Sequence, residues 1–371
     1  MGEVLKSIEE ELKAIKLDCA VAAVSGGVDS VTSALLAYRV LGNVVKPVII
    51  DTGFMRLNEV EGVVGSLRGL MPLEAFDASG EFYRALMGLS DAEAKRVAFR
   101  ETFYTVLSRI VKSKGCSWLI QGTIAPDWIE TRGGIKTQHN VLVQIGIDPL
   151  SKYGIRVIEP LRELYKDEVR AIARLLGVPG EIINRQPFPG PGLSIRAVGR
   201  LTPEKLKVVR EATHVVEDGL KDLGLSQWFA ASWEDEFEYD EDLTRRVRGL
   251  GNLEAYLFKV RATGVKGDLR AYGPVALVRG QAAGWETIYE LYRVFLDTPV
   301  THVIYEVKSG VRGRFFTAIR AVVTEDFMTA DVARLSRDLL VKVSGEVLNI
   351  DGVSAVGLDI SPKPPATIEF E

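Results

Sequence analysis

Ala20-Val21-Ala22-Ala23-Val24-Ser25-Gly26-Gly27-Val28-Asp29-Ser30 reads as a small apolar strand, a glycine turn and a helix that begins near Asp29. Such a junction is an anion site. Backbone N–H groups at the turn and in the first helical turn lack intrahelical acceptors, and the helix dipole favours negative charge there. Gly26 and Gly27 let a phosphate approach where a Cβ would obstruct it. Ser25 and Ser30 add hydroxyl donors. Asp29 is a carboxylate among phosphate donors, which suits a magnesium ion bridging phosphates. The run has neither the GK[ST] of a Walker A loop nor GxGxxG. On these residues alone, a capped strand-to-helix turn and a phosphate loop are both open.

At 371 residues the chain has room for two domains. No apolar run is long enough to span a bilayer. The first residues form an amphipathic helix with Leu5, Ile8, Leu12 and Ile15 on one stripe, not a signal peptide. A net charge of −4 argues against non-specific nucleic-acid binding. Three histidines leave little scope for zinc. Cys19 and Cys116 each start an apolar strand and are expected as unpaired core thiols in a reducing cytoplasm.

Outward from the glycine run, strands and helices alternate, as in a parallel sheet covered on both faces. Leu35, Leu36, Val40 and Leu41 stripe the first helix, and Gly42 is its stop. Strands are expected at Val44 to Ile50, Leu119-Ile120 and Val157 to Pro160, with a helix from Asp167 to Leu176. Asp51-Thr52-Gly53 and Gln121-Gly122-Thr123 follow two of those strands. In a doubly wound sheet they should converge with the glycine turn. Arg185-Gln186-Pro187-Phe188-Pro189-Gly190-Pro191-Gly192-Leu193 cannot be helix or central strand. It is read as a domain boundary or a shaped loop at the site. The second half mixes charged helices with β-rich runs, Phe315 to Val323 and Val353 to Ile360. Arg270-Ala271-Tyr272 and Arg314-Phe315-Phe316 give a faint internal echo.

The glycine run resembles the SGGxDS loop of the ATP pyrophosphatase superfamily. The longer motifs resemble one member family, GMP synthetase, in its ATP pyrophosphatase part and C-terminal dimerisation domain. They are VSGGVDS (24–30), IDTGFMRLNE (50–59), DAS (77–79), IQGTIAPDWIET (120–131), IKTQHN (135–140), IEPLRELYKDEVR (158–170) and RQPFPGPGLSIR (185–196). GVKGDLRAY (264–272), TEDFMTAD (324–331) and SPKPPATIEFE (361–371) complete the match. PFPGPGL and KPPATIE are specific to this family.

The resemblance implies a doubly wound domain over 1–194, then an α+β dimerisation and XMP-binding domain over 195–371, with extra sequence near 281–312. It implies joining ammonia to xanthosine monophosphate (XMP) at the expense of ATP, with magnesium, through an adenylated XMP. It also implies a homodimer through the C-terminal domain. Ser25, Gly26, Gly27, Val28, Asp29, Ser30 and Val31 would hold ATP, with Asp29 on the metal. Asp127, Glu130, Lys136, Thr137, His139 and Asn140 match the family's lid. Of these, Asp127, Glu130, Lys136 and His139 join Asp29 as expected catalytic residues. Gly133-Gly134 are credible hinges. Arg56, Asp268, Arg314, Lys363, Ile368 and Glu369 would bind XMP.

Three departures stand out. Gln138 and Gln186 replace customary histidines with amides that do not titrate near neutrality, and the segment near 281–312 is additional. No amidotransferase triad precedes the loop, and neither cysteine lies in a nucleophile elbow. Ammonia is therefore expected from solution or from a separate glutaminase subunit. Three rivals remain. An NAD synthetase would lack PFPGPGL and KPPATIE, and a tRNA thiolase would need reactive cysteines and a basic surface. A non-catalytic nucleotide-binding subunit would explain the two glutamines.

Overall fold

The computed structural model describes residues 2–127, 148–266, 269–311, 313–325 and 327–371. These residues divide into two compact units. One comprises Met1–Ala85 and Val97–Gly190, the other Leu86–Arg96 and Pro191–Glu371. The division at Gly190 falls inside the proline-rich run. The excursion Leu86–Arg96 into the second unit has no signature in the sequence.

In the first unit, β1 (Ala20–Val24), β2 (Val45–Asp51), β3 (Glu74–Asp77), β4 (Trp118–Ile120) and β5 (Arg156–Ile158) form one sheet. Its order is β3-β2-β1-β4-β5, and every pair is parallel. The order reverses between β1 and β4, the switch point where ligands of doubly wound sheets bind. The small side chains of β1 let the helix Val28–Leu41 lie close, burying Val31, Ala34, Leu35 and Ala37. Gly42 ends that helix at φ 69°, as its sequence position suggests. Val169, Ile172 and Ala173 of the helix Lys166–Leu175 join the same apolar cluster, as do Ile8 and Leu12 of the N-terminal helix Gly2–Ala14.

The cysteine expectation is overturned. Cys19 and Cys116 form a disulfide, their Cα atoms 4.8 Å apart. Each precedes its strand by a residue or two, and β1 and β4 run parallel with Ala20 opposite Trp118. The pairing of two neighbouring strands thus sets side by side two residues 97 positions apart in the chain. A reducing compartment therefore does not follow from these two cysteines.

The second unit is built on a sheet of β6 (Gln227–Glu234), β7 (Phe237–Tyr239), β8 (Gly251–Lys266), β9 (Leu269–Ala282), β10 (His302–Ser309), β11 (Phe315–Val323), β12 (Asp331–Val332) and β13 (Val353–Asp359). The path is β12-β11-β13-β10-β9-β8-β7, with β6 also on β11. The faint echo in the sequence has a topological counterpart. Antiparallel β8–β9 leads through the 3-10 helix Glu286–Phe295 to β10, parallel to β9. Antiparallel β6–β11 leads through the helix Arg337–Leu348 to β13, parallel to β11. The two sets meet at the antiparallel pair β10–β13. The segment near 281–312 therefore supplies a central strand rather than an appended loop.

Candidate functional site

The glycine turn is held by its own serines. Ser25 N donates to Ser30 Oγ (3.0 Å), Ser30 Oγ donates to Gly27 O (3.0 Å), and the two hydroxyls lie 3.0 Å apart. Gly26 adopts φ 85°, a left-handed conformation that favours glycine. No side chain caps the helix at Gly27. The amides of Val28, Asp29 and Ser30 have no intrahelical acceptor, so the positive end of a 14-residue helix opens onto the turn. From the end of β4, Gly122 approaches so closely that a Cβ there would sit 2.5 Å from Ser30 N. Ser33 Oγ donates to Gln121 O at 2.9 Å. The convergence of the β1 and β4 ends is thus realised in the packing.

Asp29 is split in its partners. Oδ2 accepts from Lys166 Nζ at 2.5 Å, whereas Oδ1 is buried and has no hydrogen-bond partner among the described residues. Sequence reasoning does not single out Lys166, although it lies inside LYKDEVR. The described residues contain no group of three or more His, Cys, Asp or Glu able to hold a metal. One unpaired carboxylate oxygen beside the helix N-terminus fits magnesium in the manner that ion prefers, with one or two protein carboxylates and the rest of the shell from phosphates and water. Asp127 Oδ2 accepts from Ile124 N at 3.0 Å and closes the turn after β4. In the same turn, Thr123 Oγ1 donates to Glu159 at 2.7 Å. Burial raises the Glu159 carboxyl above the usual range, and Thr123 and Arg162 offset this only in part.

Arg56 follows β2. Its guanidinium lies over the Phe188 ring, 4.2 Å from the centroid, and 3.5 Å from Glu59 Oε1. Arg185 NH2 reaches the same oxygen at 3.2 Å. Arg185 and Phe188 belong to the part of the proline-rich run that lies in the first unit, which ends at Gly190, so the run is a shaped loop there as well as the place of the division.

In the second unit the tail is clamped by buried charge. Glu369 accepts from Arg196 Nε (3.0 Å), Arg196 NH2 (2.8 Å) and Gln227 Nε2 (2.8 Å). Arg320, fully buried, donates to Ser361 O at 2.6 Å and Thr367 O at 2.9 Å, and pairs with Asp359 at 3.2 Å. His302 Nδ1 lies 2.7 Å from Asp359 Oδ2, and its ring stacks on Phe370. Lys95 and Arg96 reach the side chain and backbone carbonyl of Glu371. Lys363 Nζ donates to Phe327 O, and Ile368 is packed in the core. Arg314 is exposed at the opposite end of β11, six residues and ~20 Å of strand from Arg320. Lys363, Ile368 and Glu369 are thus brought together, and Arg314 is not brought to them.

Residues 287–370 match the family model of the GMP synthase C terminal domain. The B-type subunit of the glutamine-hydrolyzing GMP synthase of Sulfurisphaera tokodaii is 50% identical over 365 residues, 98% of this chain and 97% of that one. The chain belongs to this GMP synthase subunit family. The corresponding subunit of Archaeoglobus fulgidus is 40% identical and that of Pyrococcus furiosus 38%, each across 99% of this chain and 97% of its own. Among solved structures, the NH3-dependent NAD synthetase of Campylobacter jejuni, in complex with nitrate, is 18% identical. It covers 51% of this chain and 76% of its own, with a TM-score of 0.36. Membership in the GMP synthase family removes the NAD synthetase and tRNA thiolase readings. Glu130, Lys136, Thr137, Gln138, His139, Asn140 and Asp268 lie outside the described residues.

Proposed function

We propose that this chain is the synthetase subunit of GMP formation, taking ATP, XMP and ammonia to GMP, AMP and pyrophosphate. The carrying observation is the uncapped helix at the β1/β4 switch point, with Asp29 Oδ1 unpaired beside it. The C2 oxygen of XMP forms a bond to the α-phosphorus while the bond to pyrophosphate breaks and its electron pair leaves with pyrophosphate. Ammonia then bonds to C2, the C2–O bond breaks, AMP departs and a proton is released. The first barrier is anion meeting anion, so the chain's work is positioning and charge. The amides of Val28 to Ser30 and the two serine hydroxyls bind phosphate oxygens. Lys166 holds Asp29 in one rotamer. When bound, magnesium neutralises phosphate charge, with Asp29 Oδ1 as its protein oxygen.

XMP is assigned to Arg56, Asp268, Lys363, Ile368 and Glu369. Three of the roughly four lone-pair sites on Glu369 are already used, which leaves a rigid acceptor for one more donor. Lys136, with Asp127, Glu130 and His139, is assigned to the lid. The relatives' designation as one subunit of a glutamine-hydrolyzing enzyme supports a separate glutaminase subunit as the ammonia source. Dimerisation through the second unit is part of the same proposal, as is a cytoplasmic, non-membrane location. No described helix is long and apolar enough to cross a membrane. Incubation of the purified chain with ATP, XMP, magnesium and ammonium should yield GMP and pyrophosphate in equal amounts. Pyrophosphate without GMP, or neither product, would overturn the assignment.

A further inference from the structure

Gly26 has an unexpected neighbour. A Cβ at that position would lie 3.0 Å from Arg185 NH1 and 2.7 Å from Val63. The guanidinium therefore stands directly over the backbone of the glycine turn, on the side where a side chain would have grown. Its other end is fixed, because NH2 pairs with Glu59 Oε1 at 3.2 Å. Glu59 is almost fully buried, and Oε2 accepts from Arg56 N at 3.1 Å. Two guanidiniums thus share one carboxylate. The Arg185 side chain keeps 27% of its surface open. An aimed and partly accessible guanidinium thus stands beside the glycine turn. A planar fork fastened at one end is well suited to a phosphate at the other.

We propose that Arg185 is a second cation of the glycine turn, contacting the pyrophosphate end of ATP and the pyrophosphate that leaves. The assignment rests on the reading of the turn as the ATP site. Glu59 aims the guanidinium and Val63 backs Gly26. The same carboxylate also orients Arg56, so the two nucleotide-facing arginines are set by one buried group. The proline-rich run thereby supplies a working side chain to the site.

The test uses the full chain and inorganic pyrophosphate with magnesium as probe, titrated calorimetrically into wild type, Arg185→Ala, Arg185→Lys and Glu59→Gln. Pyrophosphate affinity should fall about tenfold to hundredfold in Arg185→Ala. It should recover partly in Arg185→Lys, which keeps charge but loses the fork. Glu59→Gln should weaken it by a smaller factor. In turnover assays the inhibition constant for pyrophosphate should rise in parallel, with the KM for ammonia unchanged. Wild-type pyrophosphate affinity in both Arg185 variants overturns the proposal, even if the KM for ATP has risen, since that pattern marks a merely structural arginine. If Arg185→Ala does not fold, the lysine variant alone decides by the same criterion. A wild type that binds pyrophosphate but makes no GMP would instead sink the functional assignment and leave the Arg185 comparison standing.

Discussion

Lys166 Nζ holds Asp29 by one oxygen at 2.5 Å and leaves the other buried and unpaired among the described residues. The pair fixes a rotamer without consuming the carboxylate. Asp29→Asn keeps the shape and loses the charge. Pyrophosphate release should fall by about 10²-fold or more, as when other preorganised electrostatic groups are removed. Lys166→Gln should affect the magnesium dependence more than the melting temperature, since this partly exposed pair contributes little to stability. Near-normal turnover of Asp29→Asn, measured by coupled pyrophosphate assay, would reduce the turn to a structural cap.

Nitrogen supply gives a second prediction. GMP formation should proceed with ammonium and rise with pH as free ammonia increases. Glutamine should support it only after a separate glutaminase is added. Appreciable GMP from glutamine with the lone chain would contradict this.

The tail separates binding from scaffolding. Glu369→Ala leaves Arg196 buried without its main carboxylate, a change of about 3–5 kcal/mol in stability, readable by denaturant unfolding. Lys363→Ala, which removes one half-buried donor, should cost little stability. It should weaken XMP binding by about 1.5–3 kcal/mol and spare ATP. Separate titrations of XMP and ATP decide, and an unchanged XMP affinity would remove Lys363 from the site.

Acid should loosen the second unit. Burial pushes the Asp359 carboxyl up, but Arg320 and His302 outweigh it and hold the group below the usual range. A carboxyl depressed in the folded state adds stability above its unfolded value of about 3.9. That stability is lost as pH falls through the lower folded value. Unfolding followed by circular dichroism should therefore show an acid limb below about pH 4. Asp359→Asn should flatten this limb while losing about 3–5 kcal/mol near neutrality, where Arg320 is left unpaired. A mutant with an unchanged acid limb would exclude Asp359 as its source.

The disulfide is checked chemically. The unfolded, unreduced protein should show no free thiol to Ellman's reagent. Cys19→Ser should lower the melting temperature, since a cross-link across 97 residues restrains the unfolded chain by up to ~4–5 kcal/mol on the chain-entropy model. Recovery of both thiols without reductant would refute the pairing.

Much of the first unit was legible because its signals are local. Gly42 ends its helix, and the glycine turn begins a helix as its residues require. In the second unit the strand Phe315–Val323 has the expected bounds for the same reason. The glycine run marks Ser25 to Ser30 as a phosphate-loop candidate by residue type and spacing, whereas Arg56 enters only through the family resemblance, as an expected XMP contact. The sequence could not show that Arg185 stands over Gly26, that Lys166 takes one oxygen of Asp29, or that Cys19 meets Cys116. Nor could it separate Arg320, clamped under the tail, from exposed Arg314. Periodicity and capping are set by residues a few positions apart, so they are written in the chain. Which charge meets which across about a hundred residues depends on strand order and register, and only the folded sheets decide that.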